Sequence, residues 1–268
     1  MRSAHKAIAG ICFSAVLVAS GAAHAACPAG SSIKDWVQGG KLCLAAATYG
    51  AEAAGDSPAL VVVVHGDTSG GGPADYHFDF ARSVAQPGVV AVALLRPGYP
   101  DRAGRTSEGQ DLGRRDSYTP DYIGAVGLAI DTLKKEYRPN RVILIGHSGG
   151  SAYVGVLLGS RPDIANDAIL VSCPCDVRRW REQRGGGAWT RSQSPSGFSA
   201  KIPLAVRLVA ITGSSDDNTP PQLAQDYVAG LVKRGLKASF VAVLESGHNF
   251  SRPLQEAAAA ALKEMLTR

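Results

Sequence analysis

Beyond residues 1–25, the chain has no apolar run of about 18 residues, so no membrane-spanning helix is expected in the remainder. No internal repeat or long linker is present, and the 31 glycines follow no period, which excludes collagen and repeat arrays. The formal net charge is only +5, and it falls to +3 without residues 1–25, where 26 Lys and Arg face 23 Asp and Glu. Such a mild excess supports neither a nucleic-acid partner nor a polybasic membrane surface. Cys173 and Cys175 have no suitably spaced Cys/His pair to complete a zinc site. The Ser69–Gly72 stretch is too short for a phosphate loop and lacks its lysine. No metal and no cofactor is implied.

What is present is ordinary globular composition, 45% hydrophobic and 19% charged over 268 residues, enough for one domain with a sizeable core. Residues 1–25 read as a secretory signal peptide. Arg2, His5 and Lys6 precede an uncharged apolar run from Ala7 to Ser20, and Ala23-His24-Ala25 places small residues where a signal peptidase inspects them. The run is short for a permanent anchor, and His24 stands where a lipobox before Cys27 would want leucine. Residues 26–268 are then the exported catalytic domain, periplasmic or secreted, with no membrane attachment after cleavage. Cys27, Cys43, Cys173 and Cys175 remain, an even number in an oxidising compartment. Four cysteines allow three pairings. A Cys27–Cys43 bridge, tying the N-terminal arm to the first strand, is favoured, leaving Cys173 and Cys175 as a small loop or two thiols.

Short apolar runs alternate with longer amphipathic ones. Leu60–Val64, Val89–Leu95, Val142–Ile145, Ala168–Val171, Leu208–Ile211 and Phe240–Leu244 read as strands, the first a β-branched run suited to burial on both faces. Ala74–Ala85, Asp121–Tyr137, Ser151–Leu158, Pro221–Arg234 and Leu254–Leu266 read as helices, with Pro120 and Pro221 near starts and Gly235 at a stop. This alternation predicts an α/β fold: a doubly wound, mostly parallel sheet with helices on both faces. Ligands bind beyond the carboxyl ends of such strands, so the residues after each strand carry the chemistry. The irregular stretch 173–201 is expected to be a short cap insertion.

Directly after one predicted strand and before a helix stands Gly146-His147-Ser148-Gly149-Gly150. A nucleophile on a tight strand-to-helix turn needs small neighbours, and the helix N-terminus adds free N–H groups beside it, so Ser148 is the candidate nucleophile. A serine hydroxyl needs a base. His248, in the Glu245–Phe250 loop between the last strand and last helix, lies where the order Ser, acid, His would put it. The acid should come from Gly213-Ser214-Ser215-Asp216-Asp217-Asn218-Thr219-Pro220. Asp216 has the better spacing, with Asp217 its competitor and Asp176 a more distant one. Two backbone donors for an oxyanion are expected from the amides of Gly149 and Asp67, the latter in His65-Gly66-Asp67-Thr68. A carboxylate there would oppose catalysis, so the Asp67 side chain should turn away or be bound, and His65 is expected to brace the loop.

The His65-Gly66 loop, the GHSGG elbow, the GSSDDNTPP acid loop and the SGHNF histidine loop together resemble the α/β-hydrolase superfamily over nearly the whole chain after residue 25. The acid loop and its spacing to His248 are most similar to prolyl-oligopeptidase-type (S9) catalytic domains and dienelactone-hydrolase-like esterases, and Arg96-Pro97-Gly98-Tyr99 resembles a loop of proline iminopeptidases. The resemblance implies hydrolysis of an ester or amide through an acyl-enzyme. S9 peptidases usually carry a large N-terminal propeller, for which residues 26–60 leave no room. The leading expectation is an esterase acting on a small molecule, then an S9-like serine peptidase. A haloperoxidase-like activity could use the same triad, and a non-catalytic binding module would be expected to lack a triad member. Arg178, Arg179, Arg181, Arg184 and Arg191 cluster with Trp180 and Trp189 in the insertion. They would read a carboxylate or phosphate if they faced the pocket, but a solvated basic face pinned by the tryptophans is the simpler expectation.

Overall fold

The computed structural model describes residues 27–267, so the expected signal peptide lies outside the described residues. Among the described residues eight strands form one sheet: β1 (Trp36–Gly39), β2 (Leu42–Tyr49), β3 (Ala59–Val64), β4 (Val89–Leu94), β5 (Arg141–His147), β6 (Asp167–Val171), β7 (Arg207–Gly213) and β8 (Lys237–Val243). Their spatial order is β1-β2-β4-β3-β5-β6-β7-β8. β1 and β2 pair antiparallel with each other and β2 antiparallel with β4, while every pairing from β4 to β8 is parallel. The helices are α1 (Phe78–Val84), α2 (Pro120–Tyr137), α3 (Gly149–Ser160), α4 (Val177–Gln183), α5 (Pro221–Lys233) and α6 (Arg252–Leu266).

Alternation along the strands divides the core between the two faces of the sheet. Leu60, Val62 and Val64 of β3 pack on one side with Val126 and Ile130 of α2, Tyr153 of α3 and Leu223 of α5. Ala59, Val61 and Val63 pack on the other with Phe80 of α1 and Leu254, Ala258 and Leu262 of α6. All six β3 residues are buried, which is why this strand reads as a continuous apolar run. α2 begins at Pro120, whose missing N–H costs nothing in a first turn, under a Thr119 cap that accepts from the Tyr122 amide.

The predicted α/β architecture is the one observed, with local differences. β1 and β2 are strands that the sequence pattern does not announce. Part of the predicted helix Ala74–Ala85 is a 3₁₀ turn, Asp75–His77, ahead of α1. The last strand starts at Lys237 rather than Phe240, because pairing with β7 begins there, and it leaves Leu244 outside and largely exposed. Cys27 is bonded to Cys43 of β2, and Cys173 to Cys175 just after β6. Segment 173–201 contains α4 and two 3₁₀ turns, packed through Val177, Trp180 and Pro195. No helix among the described residues is long and apolar enough to cross a membrane.

Candidate active site

Loops from the carboxyl ends of β3, β5, β7 and β8 converge on Ser148. This serine sits between β5 and α3 with φ 51° and ψ −119°, a conformation side chains rarely adopt. Its amide donates to Val171 O at 2.8 Å, and the Ser151 hydroxyl, within reach of both the Gly146 and Val171 carbonyls, shares its one proton between them, which holds the turn closed. Only glycine fits at two positions here. A methyl group on Gly146 would lie 2.5 Å from Gly150 O, and one on Gly150 would run into Val64 O of β3. The GHSGG pattern thus records how tightly α3 is drawn onto the sheet.

His248 Nε2 lies 2.9 Å from Ser148 Oγ. On its other side, Nδ1 is 3.1 and 3.0 Å from the two Asp216 carboxylate oxygens and 3.1 Å from Thr219 Oγ1. Asp216 also accepts from the amides of Asn218 and Thr219 and from the Thr219 hydroxyl. Burial would raise its pKa, but the hydrogen bonds from His248 and Thr219 outweigh that and hold it below the ordinary carboxylate value. Of the three acids considered from the sequence, the fold brings Asp216 to His248. Asp217 is exposed, and Asp176 caps α4 by accepting from the Arg179 amide.

Gly149 and Asp67 are neighbours in space. A methyl group on Gly149 would lie 2.8 Å from Asp67 Oδ1, and one on Gly66 would lie 2.7 Å from Ser148 Cβ. The Asp67 carboxylate accepts three hydrogen bonds: Arg96 Nη2 donates to Oδ1 at 2.8 Å, Tyr99 Oη to Oδ1 at 3.1 Å and Tyr118 Oη to Oδ2 at 2.5 Å. Arg96 is itself entirely buried, its guanidinium facing the rings of Tyr99, Tyr118 and Tyr153 within 4.5–5.5 Å. His65 ties this loop to the end of β4. It accepts from the Arg96 amide at Nε2 and donates from Nδ1 to Gly66 O.

Sequence reasoning missed Arg96, Tyr118, Tyr153, Tyr76 and Thr219. Arg96 and Tyr99 are visible only as part of a resembling loop. Thr219 stands in the acid loop, but nothing in the sequence alone shows that its hydroxyl reaches both Asp216 and His248. Of the insertion's arginines, Arg178 pairs with Glu182, Arg179 with Asp226 and Arg191 with Asp116. Arg181 lies over Trp180 and Trp189. Trp189 meets Tyr118 edge-on at 5.2 Å, and the Trp180 indole donates to Asn218 O, so the two tryptophans bridge the Asp67 side of the site to the acid loop. Among the described residues, no group of three or more His, Cys, Asp and Glu is arranged to hold a metal.

The Prolyl oligopeptidase family matches residues 110–266, which include Ser148, Asp216 and His248. No curated protein matches this sequence. Among solved structures, Est1E from Butyrivibrio proteoclasticus with ferulic acid bound superposes with a TM-score of 0.66 at 16% identity, covering 87% of this chain and 97% of Est1E. The acylaminoacyl peptidase of Pyrococcus horikoshii superposes with a TM-score of 0.67 at 14% identity, covering 87% of this chain and 40% of the peptidase. TT1662 from Thermus thermophilus gives 0.63 at 15% identity, over 87% and 96%. At these identities the likeness is one of fold.

The buried charges and rings set two expectations for stability. Replacing Asp67 by Ala leaves the Arg96 charge buried without its partner, and should cost about 3–5 kcal/mol of stability. Thermal unfolding should register this as a midpoint lower by roughly 10 °C, whereas a midpoint unchanged from wild type would mean that Arg96 needs no counter-ion. The second concerns acid. Burial above all lowers the pKa of His65 well below its ordinary value, of His77 to about 3 and of His147 to about 4. In the unfolded chain these rings take up protons near pH 6.5, so between there and their folded values the unfolded state binds more protons. The folded state therefore loses stability as pH falls below 6.5, by about 2 kcal/mol at pH 5 for each of His77 and His147 and in the same direction for His65. The unfolding midpoint should therefore be flat above neutrality and drop between pH 6.5 and 5, and a flat profile to pH 5 would contradict the neutral assignment.

Proposed function

The chain belongs to the prolyl oligopeptidase family and is a serine hydrolase; from that premise we propose that Ser148, His248 and Asp216 form its catalytic triad and cleave a small ester through an acyl-enzyme. The observation that carries this is the 2.9 Å approach of His248 Nε2 to a strained serine followed by two glycines, with Asp216 behind the imidazole. Ser148 Oγ attacks the substrate carbonyl carbon while His248 Nε2 takes its proton. Asp216 holds the Nδ1–H tautomer and stabilises the imidazolium. The amides of Gly149 and Asp67 receive the oxyanion, at the N-terminus of α3. His248 then protonates the leaving alkoxide as the C–O bond breaks. A water, deprotonated by the same histidine, releases the acid and restores Ser148.

The Asp67 carboxylate does not oppose this reading, because its charge is paired with Arg96 and its oxygens also accept from Tyr99 and Tyr118. Segment 173–201 serves as a short cap, its tryptophans flanking the site, and this suits a small substrate. Amide hydrolysis is the second reading, favoured by membership of a peptidase family. An amine leaving group demands fuller protonation, for which general-acid assistance is worth about 10²–10⁴-fold.

A fluorophosphonate probe should label the protein at Ser148, and labelling should vanish in Ser148→Ala and in His248→Ala. Asp216→Asn should lower kcat by about 10⁴-fold through the wrong imidazole tautomer. Absence of labelling in a folded wild-type protein would refute the activated serine. With matched nitrophenyl esters and nitroanilides, the ester should be preferred by about a hundredfold or more in kcat/KM. An anilide turned over equally well establishes the peptidase reading instead.

Export is part of the same proposal: residues 1–25 act as a signal peptide and residues 26–268 as the released catalytic domain. The two disulfides and the absence of a membrane-crossing helix among the described residues are compatible with it. The intact mass of protein recovered outside the cytoplasm should correspond to a chain starting at Ala26 with both disulfides closed, and a mass retaining residues 1–25 would contradict cleavage.

A further inference from the structure

His248 stands on a loop at one edge of the sheet, where Ser215 N donates to Ser246 O and Glu245 N to Ser214 Oγ, but neither bond reaches His248 itself. β8 is one edge strand of the sheet, its residues are partly or fully exposed, Leu244 beyond it is largely exposed and Glu245 has φ 55°. A base delivered from such an edge needs another anchor to keep Nε2 on Ser148, because misplacement of about 1 Å can cost about a hundredfold in rate.

His147, the residue before the nucleophile, supplies one. Its Nε2 lies 2.9 Å from the backbone carbonyl oxygen of His248. A carbonyl only accepts, so Nε2 carries the proton and Nδ1 must accept. The partner at Nδ1 is Tyr76 Oη, 2.6 Å away, which therefore donates to it. The Tyr76 oxygen in turn accepts from the Gly66 amide at 2.6 Å. Every donor in the chain Gly66 N–H, Tyr76 O–H, His147 Nε2–H has an acceptor, and only the neutral Nε2–H tautomer of His147 allows it. The ring is buried, lies 5.1 Å from Phe250 in a stacked arrangement and 5.4 Å from the His248 ring, and Tyr76 meets it edge-on. Three segments are thereby fastened together: the loop after β3, the elbow and the loop of the base.

We propose that Tyr76 and His147 are positioning residues that clamp the backbone of His248 to the centre of the sheet, so that the loop beside Ser148 and the base keep one mutual geometry. The inference rests on the assignment of Ser148 and His248 as nucleophile and base.

Tyr76→Phe removes one oxygen and keeps the ring. It should lower kcat on a nitrophenyl ester by about tenfold to a hundredfold while KM stays near that of wild type and the protein stays folded, with an unfolding midpoint lower by several degrees because the Gly66 amide and His147 Nδ1 lose their partner. His147→Gln, whose amide N–H can reach the same carbonyl, should keep most of the activity, and His147→Leu should lose at least as much as Tyr76→Phe. The double variant Tyr76→Phe/His147→Leu should be no worse than His147→Leu, since both break one chain. Wild-type kcat in Tyr76→Phe, or no advantage of Gln over Leu at position 147, would overturn the proposal. Nitrogen NMR of the histidine rings in the full chain gives a readout independent of activity and of whether the His147→Leu variants fold. His147 should be the neutral Nε2–H tautomer at pH 6, with an Nδ1 shift that moves in Tyr76→Phe. A charged ring or an Nδ1–H tautomer would overturn the clamp even if Ser148 labels normally, whereas loss of labelling with the expected tautomer would fault the nucleophile assignment alone.

Discussion

The buried ion pair between Asp67 and Arg96 is the constraint around which the candidate site is arranged. Neither partner has meaningful access to solvent, so each charge must be answered inside the protein. The answer is a cage drawn from distant parts of the chain: Tyr99 and Tyr118 donate to the carboxylate, and the rings of Tyr99, Tyr118 and Tyr153 face the guanidinium. Replacing such a pair with apolar residues is often neutral for stability in other proteins. Its value here is therefore positional. It fixes the loop after β3 against the start of α3, where the Gly149 and Asp67 amides would have to hold an oxyanion.

That position would be useless without a serine held in register beside it. The parallel pairing of β3 with β5 runs from Ala59 opposite Arg141 to Val64 opposite Gly146, so both strands end level with each other. Gly146 and Gly150 let the start of α3 press directly on the strand ends, Gly146 against the Gly150 carbonyl and Gly150 against the Val64 carbonyl. Ser148 is consequently strained and nearly buried, with 7% of its surface exposed. The strain is held by backbone bonds to β6 on one side and by the first turn of α3 on the other. Sheet register, elbow and ion pair act on the same few atoms from three directions.

The fold is legible in the sequence where one period dominates. β3 to β7 are continuous apolar runs, and α2, α5 and α6 carry clear helical patterns and proline starts. β1 and β2 escape because they are an antiparallel edge, short or alanine-rich, with none of the β-branched density that marks β3. Ser148, Asp216 and His248 can be proposed because each sits in its own short motif after a strand. Arg96, Tyr118 and Tyr76 cannot, since their partners lie 29, 51 and 71 residues away in the chain. Hydrogen bonds that close over such separations leave no local trace.

The arginine-rich insertion shows the same limit from the other side, because a compositional signal there points away from what the contacts do. Arg178, Arg179 and Arg191 each have a carboxylate partner on the protein, and Arg181 lies over two indole rings, so four of the five conspicuous cations are already engaged. A substrate anion would have to displace those partners rather than meet free charge. The aromatic groups are better placed: Trp189 packs on Tyr118, which holds Asp67, and Trp180 is bonded to the loop that carries Asp216. The segment therefore meets the candidate site through its two indole rings. Of these arginines, Arg181 is the one that lies over both rings.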